Sequence, residues 1–387
     1  MHLLTKSITS SHISPFLLPL PRLLTIAIIH KMDSVPIAFF KHVCDTLYTY
    51  GLSEVEKLPG ILGQVAQFAY DHRTCYESVV QNGHQVSGSL SYYRNQREVS
   101  APEEIELFPR KFVRHLTISL TDAKEETVCR QLVNRFPYAM YNFYIDSASI
   151  SEAWVDFVSS LKILGTIEFA MKLDSHGLAL FKKLVDGQKL SRLTLYDYCC
   201  ESSVELLKSV LCQEQFAELG LSNYHNSQWK RGVVDEILHF WSQNSKKLRG
   251  KRLLLENECN GGVERIEDFV LQRATVSPNL IQVPGTTSLT EDLRLFGMQF
   301  ALKVCSKKEC DFIGKEHHNS YTLFMKPSCI YKFEEGEDGE RRRLYISFEC
   351  ANATERRTGN RHLSASHTGK NDLSLMRKTD LLLVLFA

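Results

Sequence analysis

The nine residues LSRLTLYDY (190–198) return as FAELGLSNY (216–224), which places Leu219 and Leu221 26 residues after Leu193 and Leu195. The same pair of apolar residues around one variable residue occurs at Leu116 and Ile118, Tyr141 and Phe143, Ile167 and Phe169, and Leu253 and Leu255. Successive separations are 25, 26, 26, 26 and 34 residues, the last lengthened by an insertion at 224–231. Four of the five intervals also carry a helical stripe: Trp154, Phe157, Val158 and Leu161; Leu178, Phe181 and Leu184; Val204, Leu207, Val210 and Leu211; Val234, Ile237, Leu238 and Trp241. Strand followed by helix therefore repeats at a nearly fixed interval.

A unit of this length with one short strand and one helix cannot bury its apolar face by itself, and stacking its copies can. The interval lies in the range of leucine-rich repeats. The chain is thus expected to be α/β, with a leucine-rich-repeat-like solenoid over residues 111–275. The family's turn asparagine or cysteine is replaced by Thr121, Asp146, Lys172, Tyr198, Tyr224 and Glu258, so the array is degenerate. Evenly spaced βαβ units of an ordinary α/β domain give the same pattern. In either case the alternating residues point away from the apolar side. Thr117, Asn142, Glu168, Thr194 and Gly220 then share one face with Ser119, Tyr144, Ala170, Tyr196 and Ser222, the concave face of a solenoid. Thr117, Asn142, Tyr144, Glu168, Thr194 and Tyr196 are the candidate contacts to a protein partner, the tyrosines as anchors.

Residues 32–110 are expected to form a small helical domain. Pro36 suits a first helical turn, and Phe39, Val43 and Leu47 form a stripe at i, i+4 and i+8. VPIAFFKHVCDTL, the break TYGLSEVEKLPG and ILGQVAQFAYDHRTCY resemble a divergent F-box, and the opening MDSVP with the later ERRRLYISFEC is similar to nematode families of F-box-like proteins. The resemblance implies that Pro36, Phe39, Phe40, Val43 and Leu47 bind a Skp-type adaptor. It further implies that the chain is a substrate receptor of a cullin-RING ubiquitin ligase holding a protein target. The same five residues also suit a cap over the open end of the repeat array. A repeat scaffold without a ligase link, and a hydrolase-like α/β enzyme, are the alternative readings.

Residues 276–350 are expected to be a carboxyl-terminal cap with a β-hairpin. Leu344, Ile346 and Phe348 alternate, Gly336 to Gly339 supplies a turn, and the acidic run 334–340 faces Arg341 to Arg343. Residues 351–387 read as a disordered tail, because 351–372 is polar and aperiodic and LLLVLFA is too short to span a bilayer. Residues 1–31 read as an upstream extension or leader, with domain-like patterning beginning at Met32.

With 46 Lys and Arg against 45 Asp and Glu, no overall field draws the chain to nucleic acid or to an anionic membrane. Eleven irregularly spaced cysteines point to a reducing, cytoplasmic setting. No cofactor motif is present. The best metal candidates are Cys305, Cys310, His317, His318 and Cys329, loosely spaced for zinc. His225, Asp235 and Cys212 contain the residue types of a nucleophile set, and Cys199 and Cys200 lack redox spacing. None of these is expected to be a site.

Overall fold

The computed structural model describes residues 35–47, 49–122, 126–196, 203–223, 232–274, 291–317, 323–324, 328–336, 341–350, 362–363 and 371–387. The leader, the insertion at 224–231, Cys199, Cys200, His225 and His318 lie outside these residues. The chain divides into two compact units, Met1–Asp71 and His72–Ala387.

In the first unit α1 (Ile37–Thr46), α2 (Thr49–Val55) and α3 (Ile61–His72) gather around Cys44, Leu52 and Ala66. Pro36 stands at the N-cap of α1 with φ −58° and ψ 138°, as expected of a residue without an N–H to satisfy. The buried positions of α1 are Phe40 and Cys44, one residue round the helix from the expected stripe.

The expected helical domain does not continue to residue 110. Residues 74–99 instead form β1 (Thr74–Gln81), β2 (His84–Tyr92) and β3 (Glu98–Val99) of the second unit, followed by α4 (Pro102–Leu107). The cause is local. Asn82 and Gly83, at φ 51° and 70°, make a two-residue turn between two alternating runs, so β1 and β2 pair as a hairpin.

Strand and helix then alternate: β4 (Val113–Leu120), α5 (Thr127–Arg135), β5 (Met140–Ile145), α6 (Glu152–Ser160), β6 (Leu164–Phe169) and α7 (Ser175–Asp186). The series continues with β7 (Arg192–Tyr196), α8 (Val204–Leu211), β8 (Glu218–Ser222), α9 (Val233–Leu248), β9 (Arg252–Glu256) and α10 (Asn260–Arg273). Strands β4 to β9 lie in sequence order and pair in parallel, with β1 parallel to β4 at their outer side. Leu193 faces Leu219 and Leu219 faces Leu253, as the spacing requires. At β5 and β6 the register is not the expected one, because Ile167 pairs with Phe143 rather than with Tyr141. From Phe143 onward the slip is of two residues, so those side chains keep their face, while Tyr141 pairs with Leu164 across a register irregularity. Asn142 Oδ1 accepts the Thr166 N–H at 2.9 Å beside this irregularity.

The apolar side of these strands and the helical stripes form one core, in which Leu116, Ile167, Leu193, Trp154, Leu184, Val210 and Trp241 are all fully buried. Ser151 and Asp174 cap α6 and α7 by accepting the N–H of Trp154 and Gly177.

Beyond β9 the pairing turns antiparallel. Helix α11 (Glu291–Ala301), β10 (Lys303–Val304), α12 (Lys307–His317), β12 (Ser328–Glu335) and β13 (Arg342–Glu349) follow, β11 (Leu323–Phe324) and β14 (His362–Leu363) pairing apart as a second small sheet. Strands β12 and β13 are antiparallel partners, with Glu334 bridged to Arg343 at 2.6 Å and Glu335 to Arg342 at 3.2 Å. Cys329 and Cys350 are joined by a disulfide.

The expected disordered tail ends in β15 (Leu381–Phe386), which lies between β9 and β13 inside the sheet. Leu382, Val384 and Phe386 enter the main core, while Leu383 packs with Leu254 and Leu385 with Ile330 and Tyr345. Both faces of the strand are covered, so its seven-residue apolar run carries no alternation. The main sheet has thirteen strands among the described residues, in the order β10, β12, β13, β15, β9, β8, β7, β6, β5, β4, β1, β2, β3. The architecture is α/β with a large, mixed, open sheet.

Candidate functional site: the second face of the parallel strands

The helices α5 to α10 pack on one side of β4 to β9, and the alternating residues occupy the other. The register sets Tyr144 beside Glu168, Glu168 beside Thr194, and Thr194 beside Gly220. Ser119 faces Tyr144 at the outer side of this row, Thr117 faces Asn142 in the row before it, and Tyr196 leads through Ser222 to Glu256 in the row after. The six expected contact residues thus fall on one surface.

Their roles differ. Thr117, Tyr144, Glu168 and Thr194 are half-buried and keep surface to offer. Tyr196 is only 4% exposed, packs with Tyr144 on Ala170, and holds its hydroxyl 3.2 Å from that of Tyr144. It positions Tyr144 rather than serving as a second anchor. Asn142 is occupied in holding the Thr166 N–H. The side chain satisfies backbone at the register slip.

Charge on this surface is arranged in two groups. Glu218 and Arg252 form a buried pair at 3.2 Å, in a row that starts from Arg192 on β7. Toward the carboxyl ends of the strands lies Glu256, whose carboxyl is pushed up to about 7 by burial and then by the negative charges of Glu168 and Glu218. Burial also raises the Glu168 carboxyl. Asn257 and Glu258 follow in the left-handed region, at φ 60° and 46°, and Asn257 Nδ2 donates to Ser222 Oγ at 2.9 Å. Two successive non-glycine residues in that region cost free energy and fix the chain at the strand end. Periodicity did not single out Glu218, Arg252 or Glu256, although each falls at an alternating position of the same strands. The resulting surface offers hydroxyls and, at Glu256, a carboxyl able to donate or accept hydrogen bonds near neutral pH.

The other candidate chemistries do not assemble among the described residues. Cys305 and Cys310 pack with Ile313, Ile330, Tyr345 and Leu385 in a small cluster, and Cys329 faces the main core. No group of three metal-ligating side chains is found among the described residues. Cys212 caps the end of α8, and Asp235 lies on α9. One pairing that the sequence did not suggest sets Cys75 beside His115, with the Tyr93 hydroxyl on His115 Nδ1. Burial drives the Cys75 thiol up to about 12 and His115 down to about 4, the reverse of what a thiolate and imidazolium pair requires.

In the first unit Phe39 is 54% exposed and Ile37 52%, whereas Phe40 is 1% exposed. Pro36 is exposed, and Val43 and Leu47 are half-buried, Leu47 against the helical core. Of the expected adaptor residues, Phe39 is the one large side chain presented outward, and Phe40 is removed from contact by its place in the fold. Comparison of the chain with protein-family models, with curated proteins and with solved structures finds no match.

Proposed function

We propose that the chain is a protein-interaction module: an F-box-type substrate receptor of a cullin-RING ubiquitin ligase. In this reading α1 meets a Skp-type adaptor, and a leucine-rich-repeat-like solenoid of β4 to β9 with their helices holds a protein target on its concave face. The observation that carries the reading is the row Tyr144, Glu168 and Thr194, set side by side by the parallel register on the side away from the helices. An aromatic residue among polar neighbours on a half-buried surface suits recognition of a folded or extended protein segment. Phe39 and Ile37 supply the apolar contact on α1 that adaptor docking needs.

The test is a calorimetric titration of the full chain with a purified Skp-type adaptor. Binding is expected, and Phe39→Ala should weaken it by about tenfold or more, a loss of about 1.4 kcal/mol. Leu107→Ala, at an 85% exposed position outside the first unit, is the control and should leave affinity unchanged. No binding, or equal binding by the Phe39→Ala variant with wild-type melting, removes the adaptor reading and leaves the repeat scaffold.

A further inference from the structure

Helix α11 is apolar on two sides, and packing among the described residues uses one. Met298 and Leu302, just past its end, are buried in the main core. Gly297 allows close approach to α10, since a Cβ there would stand 2.7 Å from Leu271 Cδ2. Arg294 ties the same side down through Glu267 at 3.3 Å and Asp268 at 2.7 Å. The opposite side carries Leu293, Phe296 and Phe300 at i, i+3 and i+7, which are 39%, 51% and 62% exposed. The two phenylalanine rings meet edge to face at 4.7 Å. Val304, 43% exposed, adds an apolar side chain on β10, the end strand of the sheet. Packing among the described residues explains none of these four side chains, and exposed apolar side chains grouped in this way mark an interaction site.

Among the described residues the charges left unpaired beside it are positive. Lys303, Lys307 and Lys308 follow Phe300 directly. Lys307 is answered by Asp311 at 2.8 Å, and Glu309 is engaged by Lys332 and by the Ser306 N–H. Lys303 and Lys308 are exposed and form no ion pair among the described residues. Two copies of this surface brought face to face would oppose lysine to lysine, which disfavours self-association. We propose that this surface docks an amphipathic helix of a partner protein. Apolar residues of that helix at i, i+3 and i+7 would lie on Leu293, Phe296 and Phe300, and acidic residues would face Lys303 and Lys308. The site uses no residue assigned above to adaptor or target, so its success or failure is independent of the ligase reading.

The test uses the full chain and a fluorescein-labelled synthetic helical peptide with leucines at i, i+3 and i+7 and flanking glutamates, compared with a twin in which lysines replace the glutamates. Fluorescence anisotropy should show saturable, salt-sensitive binding of the acidic peptide and about tenfold weaker binding of its twin. The double variant Phe296→Ala, Phe300→Ala should lose the acidic peptide by about tenfold or more. The double variant Lys303→Glu, Lys308→Glu should prefer the lysine twin, and it carries the test if the phenylalanine variant melts early. Equal binding of the two peptides, no binding, or binding untouched by both variants overturns the proposal. A dimer seen by light scattering that dissolves in the phenylalanine variant also overturns it, assigning the surface to a second copy.

Discussion

Strands β4 to β9 and strands β15, β13 and β12 belong to one sheet but are assembled by different rules. In the first set each strand pairs with the next in sequence, about 26 residues away, through a helix that buries its stripe on the spot. In the second, β9 pairs with β15, whose Leu383 lies opposite Leu254 from the far end of the chain. The first kind of order repeats and is local. The second rests on one pairing of large sequence separation, held beside it by Arg377 of the turn before β15, which donates to Glu267 on α10. Each set should therefore respond differently to damage.

The largest effect is expected at the long-range pairing. Val384 is fully buried in the middle of β15. Val384→Asp buries an unpaired carboxylate, and its cost should exceed about 4 kcal/mol, visible as loss of the cooperative urea transition. Within the repeating set, Leu221→Ala should cost about 2–5 kcal/mol by leaving a cavity. Because each unit there stacks on its neighbours, hydrogen exchange in that variant should speed up in β7 to β9 more than in β12 and β13.

Next comes the clamp between the two sets. Glu267 is 4% exposed and accepts from both Arg377 and Arg294. Glu267→Gln should cost roughly 3 kcal/mol in chemical denaturation, since a buried carboxylate shared by two partly buried guanidinium groups is removed and Arg294 is left to Asp268. A loss below about 0.5 kcal/mol would mean that the tail is held by apolar packing alone.

Glu256 sits at the joint itself, facing Ser222 on the parallel side and Leu381 on the antiparallel side. Its carboxyl keeps a proton up to about 7, whereas the unperturbed group loses it at 4.5. Between those values the unfolded chain binds fewer protons than the folded one, so this group lowers stability as pH rises through the window and has no further effect above it. Glu256→Gln should therefore gain stability at pH 8 relative to pH 4.5, by at most roughly 3 kcal/mol. His115 has the opposite slope, because burial holds it neutral down to about 4 while the unfolded imidazole protonates at 6.5. Its contribution is lost as pH falls from 6.5 toward 4. With the glutamate removed, acid destabilisation in this range should steepen, as thermal melts at stepped pH would show.

The smallest effect belongs to α12. Ser306 and Glu309 form a reciprocal cap, Ser306 Oγ accepting the Glu309 N–H and the glutamate accepting the Ser306 N–H at 2.8 Å. Ser306→Ala should lower stability by about 1 kcal/mol.

The two sets also explain what the sequence disclosed. Leu193, Leu219 and Leu253 could be aligned from spacing because the helix between strands has a nearly constant length, and the face of Tyr144, Glu168 and Thr194 follows from alternation. The position of β15 was not legible, since a pairing across more than a hundred residues leaves no period and a strand covered on both faces shows no alternation. The hairpin of β1 and β2 leaves a signal in Asn82-Gly83 between alternating runs, directly after a helical pattern that gives no sign of a domain boundary. Glu218 and Glu256 fell on expected positions, but their charges matter through burial, which spacing does not report.

The measurement that bears most directly on this comparison is hydrogen exchange of the native full chain. If β15 completes the sheet between β9 and β13, amides of Leu382 to Phe386 should exchange as slowly as those of Leu253 to Leu255 and of Leu344 to Phe348, through global unfolding. Exchange of 382–386 at the rate of an unstructured peptide, with β9 and β13 still protected, would contradict the account.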